Sequence, residues 1–206
     1  MSEHYEAVKA EVGDAREIHD VINLYAQRGD MLPRTMGEVY ENLRDFFVVR
    51  DSGRFLGCVA LHIVWADLAE VKSLAVPEEV QVRGIGSLLV NATVAEARRL
   101  GLERVFALTY RPAFFERLGF VQADVMTLPR KVWNECYRCP KFPSCNEIAL
   151  VLDLTSPPAA ASPSPSTVRT GDIGNRCAKT WGTLSVGGID RRSYAPEGAH
   201  LDVGAP

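Results

Sequence analysis

Residues 70–87 read Glu70-Val71-Lys72-Ser73-Leu74-Ala75-Val76-Pro77-Glu78-Glu79-Val80-Gln81-Val82-Arg83-Gly84-Ile85-Gly86-Ser87. Val71–Val76 is a strand that Pro77 stops. A long helix runs from Gly84 to Leu100, with Ile85, Leu88, Leu89 and Ala92 inward and Gly101 at its C′ position. Between them, glycines at 84 and 86 let backbone amides turn toward one point at a helix N-terminus. The helix dipole and its unpaired N–H groups favour an anion there, and a pyrophosphate fits in charge and size. The competing reading is a strand-to-helix turn that needs glycine for sterics alone. The loop is not a Walker motif, since no Gly-Lys-Ser/Thr follows. Leu89 in the third glycine's place excludes the dinucleotide fingerprint.

The flanks are read outward from this loop. Tyr5–Val12 alternates as a strand, and Gly13-Asp14 supplies a turn and an N-cap. Ala15, Ile18, Val21, Ile22 and Tyr25 share one helical face, which Gly29 ends. Thr35 and Glu38 form a capping box opening a short helix through Leu43. Phe46–Arg50 and Phe55–Ile63 are strands joined by the turn Asp51-Ser52-Gly53-Arg54. Beyond the long helix come a strand at Val105–Thr109, a short helix at Pro112–Leu118, extended chain from Gly119-Phe120 and a last strand at Ile148–Leu152. The order β-α-α-β-β-β-α-β-α-β-β predicts an α/β (α+β) layer fold with a mixed central sheet flanked by helices.

Of 206 residues, 47% are apolar and 24% charged, with 23 Lys+Arg against 26 Asp+Glu and a net charge of −3. That balance argues against a nucleic-acid binder or a polybasic membrane module. The N-terminus has no apolar stretch of secretory type, and the run Phe55–Ala66 is too short to span a bilayer. No membrane partner and a cytoplasmic location are expected. After Leu154 the composition turns to Pro, Ala, Ser and Gly with no apolar periodicity. The expected division is a domain at 1–154 and a disordered tail at 155–206. The alternative is a tail whose Trp181, Leu184, Val186 and Ile189 dock on a partner or second subunit. A homodimer is left open.

Gln-x-x-Gly-x-Gly after Ser73-Leu74-Ala75-Val76 resembles the acetyl-CoA loop of the GNAT N-acetyltransferases. Pro112-Ala113-Phe114-Phe115-Glu116-Arg117-Leu118-Gly119-Phe120 is similar to that superfamily's later helix and strand. Within it, the chain resembles the short, single-domain N-acetylglutamate synthases of bacterial arginine biosynthesis. That likeness rests on Met31-Leu32-Pro33-Arg34-Thr35, Asp45-Phe46-Phe47-Val48, Glu70–Val76 and the closing segment from Lys131 to Leu150. It implies acetyl-CoA as co-substrate and acetylation of the α-amino group of L-glutamate. Alternatives are another small amine such as glutamine, a protein amino group, or a non-catalytic acyl-CoA sensor or thiolate-metal module.

On this resemblance, Leu74, Ala75 and Val76 should present backbone N–H groups to the thioester carbonyl and pantetheine arm. Gln81, Val82, Arg83, Gly84, Ile85, Gly86 and Ser87 should hold the pyrophosphate. A base must take a proton from the amine, through water, and Glu70 and His62 are the nearest titratable groups. Many members carry a tyrosine acid before the Leu-Gly-Phe turn. Phe115 stands there in this chain, leaving Tyr110 as the substitute donor or the thiolate leaving unassisted. Two carboxylates need cations, and Arg34 is placed at the acceptor pocket, where its guanidinium suits bidentate recognition. Lys72, Arg138 and Lys141 are the further candidates, with a solvated surface as the alternative for each lysine. Cys136, Cys139 and Cys145 are spaced C-x2-C-x5-C without a second pair or nearby His, so they read as packed thiols rather than a metal site.

Overall fold

The computed structural model describes residues 5–128, 136–141 and 144–155, with Val82 and Arg83 described for backbone only. The expected tail, Thr155 apart, lies outside the described residues, as do residues 131–135, Phe142 and Pro143 of the closing segment. Seven strands make one mixed sheet: β1 (Ala7–Lys9), β2 (Phe46–Asp51), β3 (Arg54–Trp65), β4 (Leu68–Ala75), β5 (Arg104–Thr109), β6 (Val121–Ala123) and β7 (Ile148–Asp153). Their spatial order is β1-β2-β3-β4-β5-β7-β6. Among the described strands only β4 and β5 pair parallel. The helices are α1 (Ala15–Gln27), α2 (Met36–Glu41), α3 (Ile85–Arg99) and α4 (Pro112–Glu116).

Local chemistry accounts for most element ends. The five apolar residues expected on one face of α1 are its buried ones. In α2 both halves of the capping box form, Glu38 N–H to Thr35 Oγ1 and Thr35 N–H to Glu38 Oε2. Ser52 and Gly53 both have positive φ, the conformation a tight hairpin between right-twisted strands requires. Asp14 departs from expectation: it sits at the N-cap of α1, but its side chain makes no cap bond. The carboxylate instead accepts from the Glu11 N–H and from the Arg50 guanidinium, a better use of a charge that is itself buried.

The period-two alternation of β2, β3 and β4 sorts most of their buried residues into two of the three hydrophobic clusters. Phe47, Val49, Val59, Leu61, Ala69 and Val71 pack under α3, while Phe46, Val48, Cys58 and Ala60 pack under α1 and α2. Glu70 and Lys72 alternate with Ala69 and Val71, so they face the α1 side. The β3–β4 ladder contains a bulge. Cys58 pairs with Ala75 and Ala60 with Lys72, leaving an extra residue in β4, where Ser73 adopts φ 55°. The β4–β5 ladder runs only from Leu68–Arg104 to Glu70–Phe106. Beyond Glu70 the two strands continue without pairing to each other, and the sheet opens at its centre.

Candidate active site

A cavity of about 510 Å³ lies where β4 and β5 part. One wall is the far half of β4, Val71 to Leu74, with Val76; the opposite wall is Leu108, Thr109 and Tyr110 at the end of β5. Glu70 stands at the fork. It is 4% exposed, and Lys72 Nζ lies 3.9 Å from its Oε2. The floor is Gln81, Gly84, Gly86 and Ser87 with Phe114 and Phe115. Over the α1 side reach Asp30, Met31, Leu32 and Arg34, and Cys136, Cys139, Cys145 and Glu147 close the remaining side.

The loop geometry revises the reason for its glycines. Residues Glu78–Arg83 wind as a 3-10 helix, and Gly84 caps α3 in the left-handed region at φ 76°. A Cβ on Gly84 would meet no protein atom within 4 Å, so the positive φ, and no protein neighbour, favours glycine there. At Gly86 a Cβ would stand 3.3 Å from Phe114 Cζ, so the close neighbour is a ring of α4. Gln81 does not simply line the loop. Its Nε2 donates to the Val76 carbonyl and to the Tyr25 hydroxyl, both at 3.0 Å. Tyr25 Oη in turn donates to the Val76 carbonyl at 2.6 Å. Burial raises the Tyr25 pKa, which keeps that proton in place. The carbonyl where β4 gives way to the loop is thus held by two side chains.

Arg34 lines the cavity, its side chain 27% exposed, with Nη1 3.6 Å from Glu38 Oε1. Asn23 fixes its main chain, donating from Nδ2 to the Arg34 carbonyl at 2.8 Å and accepting the Arg34 N–H at 3.2 Å. Tyr110 lines the cavity, and its hydroxyl accepts from Lys141 Nζ at 2.8 Å. Lys141 also donates to the Gly29 carbonyl, and the Tyr110 contact is the main cause that raises its pKa. Lys141 therefore ties the closing segment to β5 and the end of α1, outside the lining of the main cavity.

Other expected residues fall elsewhere. Arg138 is exposed at the end of the 3-10 turn Cys136–Arg138, and it does not line the cavity although Cys136 of the same turn does. The side chains of Ala75 and Ile85 are buried in the two cores, so only their backbone can serve a ligand. Those of Val82 and Arg83 lie outside the described residues. His62, the Glu70 partner across the β3–β4 ladder, is turned to Asp45, Nδ1 to Oδ2 2.7 Å, and does not line the cavity. Sequence reading missed Arg111, Asp30 and Glu147 in the lining. It also placed Tyr25 only as a core residue, although a hydroxyl on an otherwise aliphatic face signals a polar partner. Among the described residues no group of three or more His, Cys, Asp or Glu could hold a metal ion, and no helix is long and apolar enough to cross a membrane.

An opened parallel pair, a bulged strand and a glycine-capped helix start thus surround one cavity. The model of the acetyltransferase (GNAT) family matches residues 14–120, and the chain belongs to that family. An uncharacterized N-acetyltransferase from Chlorobaculum tepidum is 40% identical over 145 residues, 70% of this chain and 94% of that one. An amino-acid acetyltransferase from Mycobacterium tuberculosis is 32% identical over 133 residues, 63% of this chain and 76% of that one. The crystal structure of N-acetylglutamate synthase from Neisseria gonorrhoeae complexed with coenzyme A and N-acetyl-glutamate aligns with a TM-score of 0.65 at 26% identity. That alignment covers 75% of this chain and 36% of the other. The chain is an acyltransferase with acetyl-CoA as its co-substrate.

Proposed function

We propose that this enzyme transfers the acetyl group of acetyl-CoA to the α-amino group of L-glutamate, the opening reaction of arginine biosynthesis, in the cytoplasm. The observation that carries the reading is Arg34, whose main chain is held by Asn23 and whose guanidinium lies beside Glu38, in the lining of the cavity that also contains Glu70. A planar fork suits a carboxylate bidentately. Lys72 and Arg111, cations of the same lining, supply charge for the second carboxylate. The amino-acid acetyltransferase relative and the N-acetyl-glutamate in the gonococcal complex support the same acceptor.

In this mechanism the pyrophosphate rests on the backbone N–H groups of residues 82–87, and the thioester lies along Leu74–Val76. The bulge at Ser73 takes backbone groups of β4 out of the ladder with β3, freeing donors for the thioester carbonyl. Glu70, at the fork, takes the proton of the amine through water. Attack forms the amide and expels the coenzyme A thiolate. Tyr110 can deliver a proton to that sulfur, because accepting from Lys141 leaves its own O–H to donate. Release of coenzyme A thiol with each of the twenty amino acids tests the acceptor. L-Glutamate should give the highest kcat/KM, and a faster amino acid would replace it. Arg34→Ala should raise the KM for glutamate about 10- to 150-fold, the loss of a charge-assisted contact of about 1.5–3 kcal/mol. Arg34→Lys should recover only part.

A further inference from the structure

The cavity that takes a thiol cofactor is itself lined by thiols. Cys136, Cys139 and Cys145 face it together with Leu74 and Gly84. The Cys139 N–H donates to the Cys136 carbonyl at 3.0 Å, closing a 3-10 turn. Such a turn keeps its end Cα atoms within about 7 Å, and a disulfide spans about 4.4–6.8 Å. Neither cysteine is in a disulfide, and both are partly accessible. Cys58 contrasts with them: it is fully buried beneath α1, and burial pushes its thiol far above the usual range. On the proposed function, every turnover also leaves a free coenzyme A thiol in the cavity that this pair lines. A coenzyme A disulfide carries the same pantetheine and pyrophosphate handle, and places its S–S bond where the thioester would lie.

We propose that the cavity is a thiol–disulfide exchange site for coenzyme A disulfides, with Cys136 and Cys139 as the reacting pair. One cysteine thiolate attacks the disulfide, its S–S bond breaks, and a coenzyme A thiolate leaves. The second cysteine thiolate attacks the cysteine sulfur of the mixed disulfide, forming Cys136–Cys139 and expelling the second coenzyme A thiolate. The protons of the two cysteines pass to the two coenzyme A thiolates. The pair loses two electrons and one coenzyme A disulfide gains them, so no other oxidant is needed. While the mixed disulfide persists it occupies the acetyl-CoA site and stops acetyl transfer until a reductant frees it.

The test uses the full chain, reduced and desalted, mixed with coenzyme A disulfide and followed by intact mass and peptide mapping. Two coenzyme A thiols should be released per chain, with loss of two hydrogens and a mapped Cys136–Cys139 link. Acetyl-CoA should slow the reaction. Glutathione disulfide, which lacks the handle, should react about tenfold or more slowly, since binding supplies proximity. Cys136→Ser should stop at a stable coenzyme A adduct on Cys139. Equal rates with the two disulfides, no protection by acetyl-CoA, or adducts spread over Cys145 and Cys177 would overturn the proposal. The rate comparison needs no variant, so a misfolded Cys136→Ser leaves it decisive.

Discussion

The carboxamide of Asn23 grips the peptide of Arg34 on both sides. Its Nδ2 donates to the Arg34 carbonyl and to the His19 carbonyl, while its Oδ1 accepts the Arg34 N–H. One side chain thereby fastens the loop after α1 to the helix it left, eleven residues back. Only a carboxamide offers donor and acceptor together at that length. Asn23→Asp keeps the acceptor and sets a carboxylate against two carbonyls. It should raise the KM for the amino-acid acceptor about 5- to 30-fold, from a loss of about 1–2 kcal/mol. The KM for acetyl-CoA should stay within about twofold. A parallel rise in both constants would mean that Asn23 serves only the fold.

The two loop glycines should fail for different reasons. Gly84 needs φ 76°, so Gly84→Asn should bind acetyl-CoA better than Gly84→Val, because asparagine tolerates the left-handed region. Gly86 abuts the Phe114 ring, so the loss of affinity in Gly86→Ala should be partly recovered by adding Phe114→Leu. Calorimetric titration of acetyl-CoA into the four proteins reads this directly. Equal weakening by Asn and Val at 84 would return the glycine requirement to crowding at the phosphates.

Gly57 lies on β3 next to Cys58, which pairs with Ala75 at the end of β4. An added Cβ would meet the Ala75 carbonyl oxygen at 2.9 Å and Val76 Cγ2 at 3.1 Å, at a backbone φ of 155°. Backbone cannot rotate aside as a side chain can. Gly57→Ala should destabilise by about 2–3 kcal/mol, measured by urea unfolding. A loss under about 0.5 kcal/mol would show that β4 yields at this point.

Acid should loosen α2. The Glu38 carboxyl is held below its ordinary value of 4.5, first by the Thr35 backbone N–H and then by the Thr35 hydroxyl and Arg34. A depressed carboxylate stabilises the fold above its unfolded pKa, and the contribution fades as pH falls through the folded value. Glu38→Gln should therefore lower stability at pH 7 by about 0.5 kcal/mol, a small figure because the carboxylate is exposed. The gap in Tm between variant and wild type should close below the ordinary carboxylate pKa. A gap independent of pH would assign the effect to shape and not to charge.

Much of the fold was determined by residues acting on their near neighbours. The apolar face of α1, the Thr35–Glu38 box, the Ser52-Gly53 turn and the Gly84 start of α3 each depend on contacts within a few residues, which spacing reveals. The motif residues Gln81, Gly84 and Gly86, singled out by spacing, all line the cavity. What gathers Arg34, Glu70, Lys72 and Tyr110 around one space is the parting of β4 and β5 after Glu70, and no spacing in the chain encodes where a parallel pair stops pairing. Lys141 meets Gly29 across 112 residues and Tyr110 across 31, and Arg138, two residues from the lining cysteine Cys136, does not line the cavity. Side-chain direction in such irregular loops follows from packing against distant strands, not from a local period. The element list was therefore legible along the chain, whereas the membership of the site was decided only when sheet, helices and loops closed on one another.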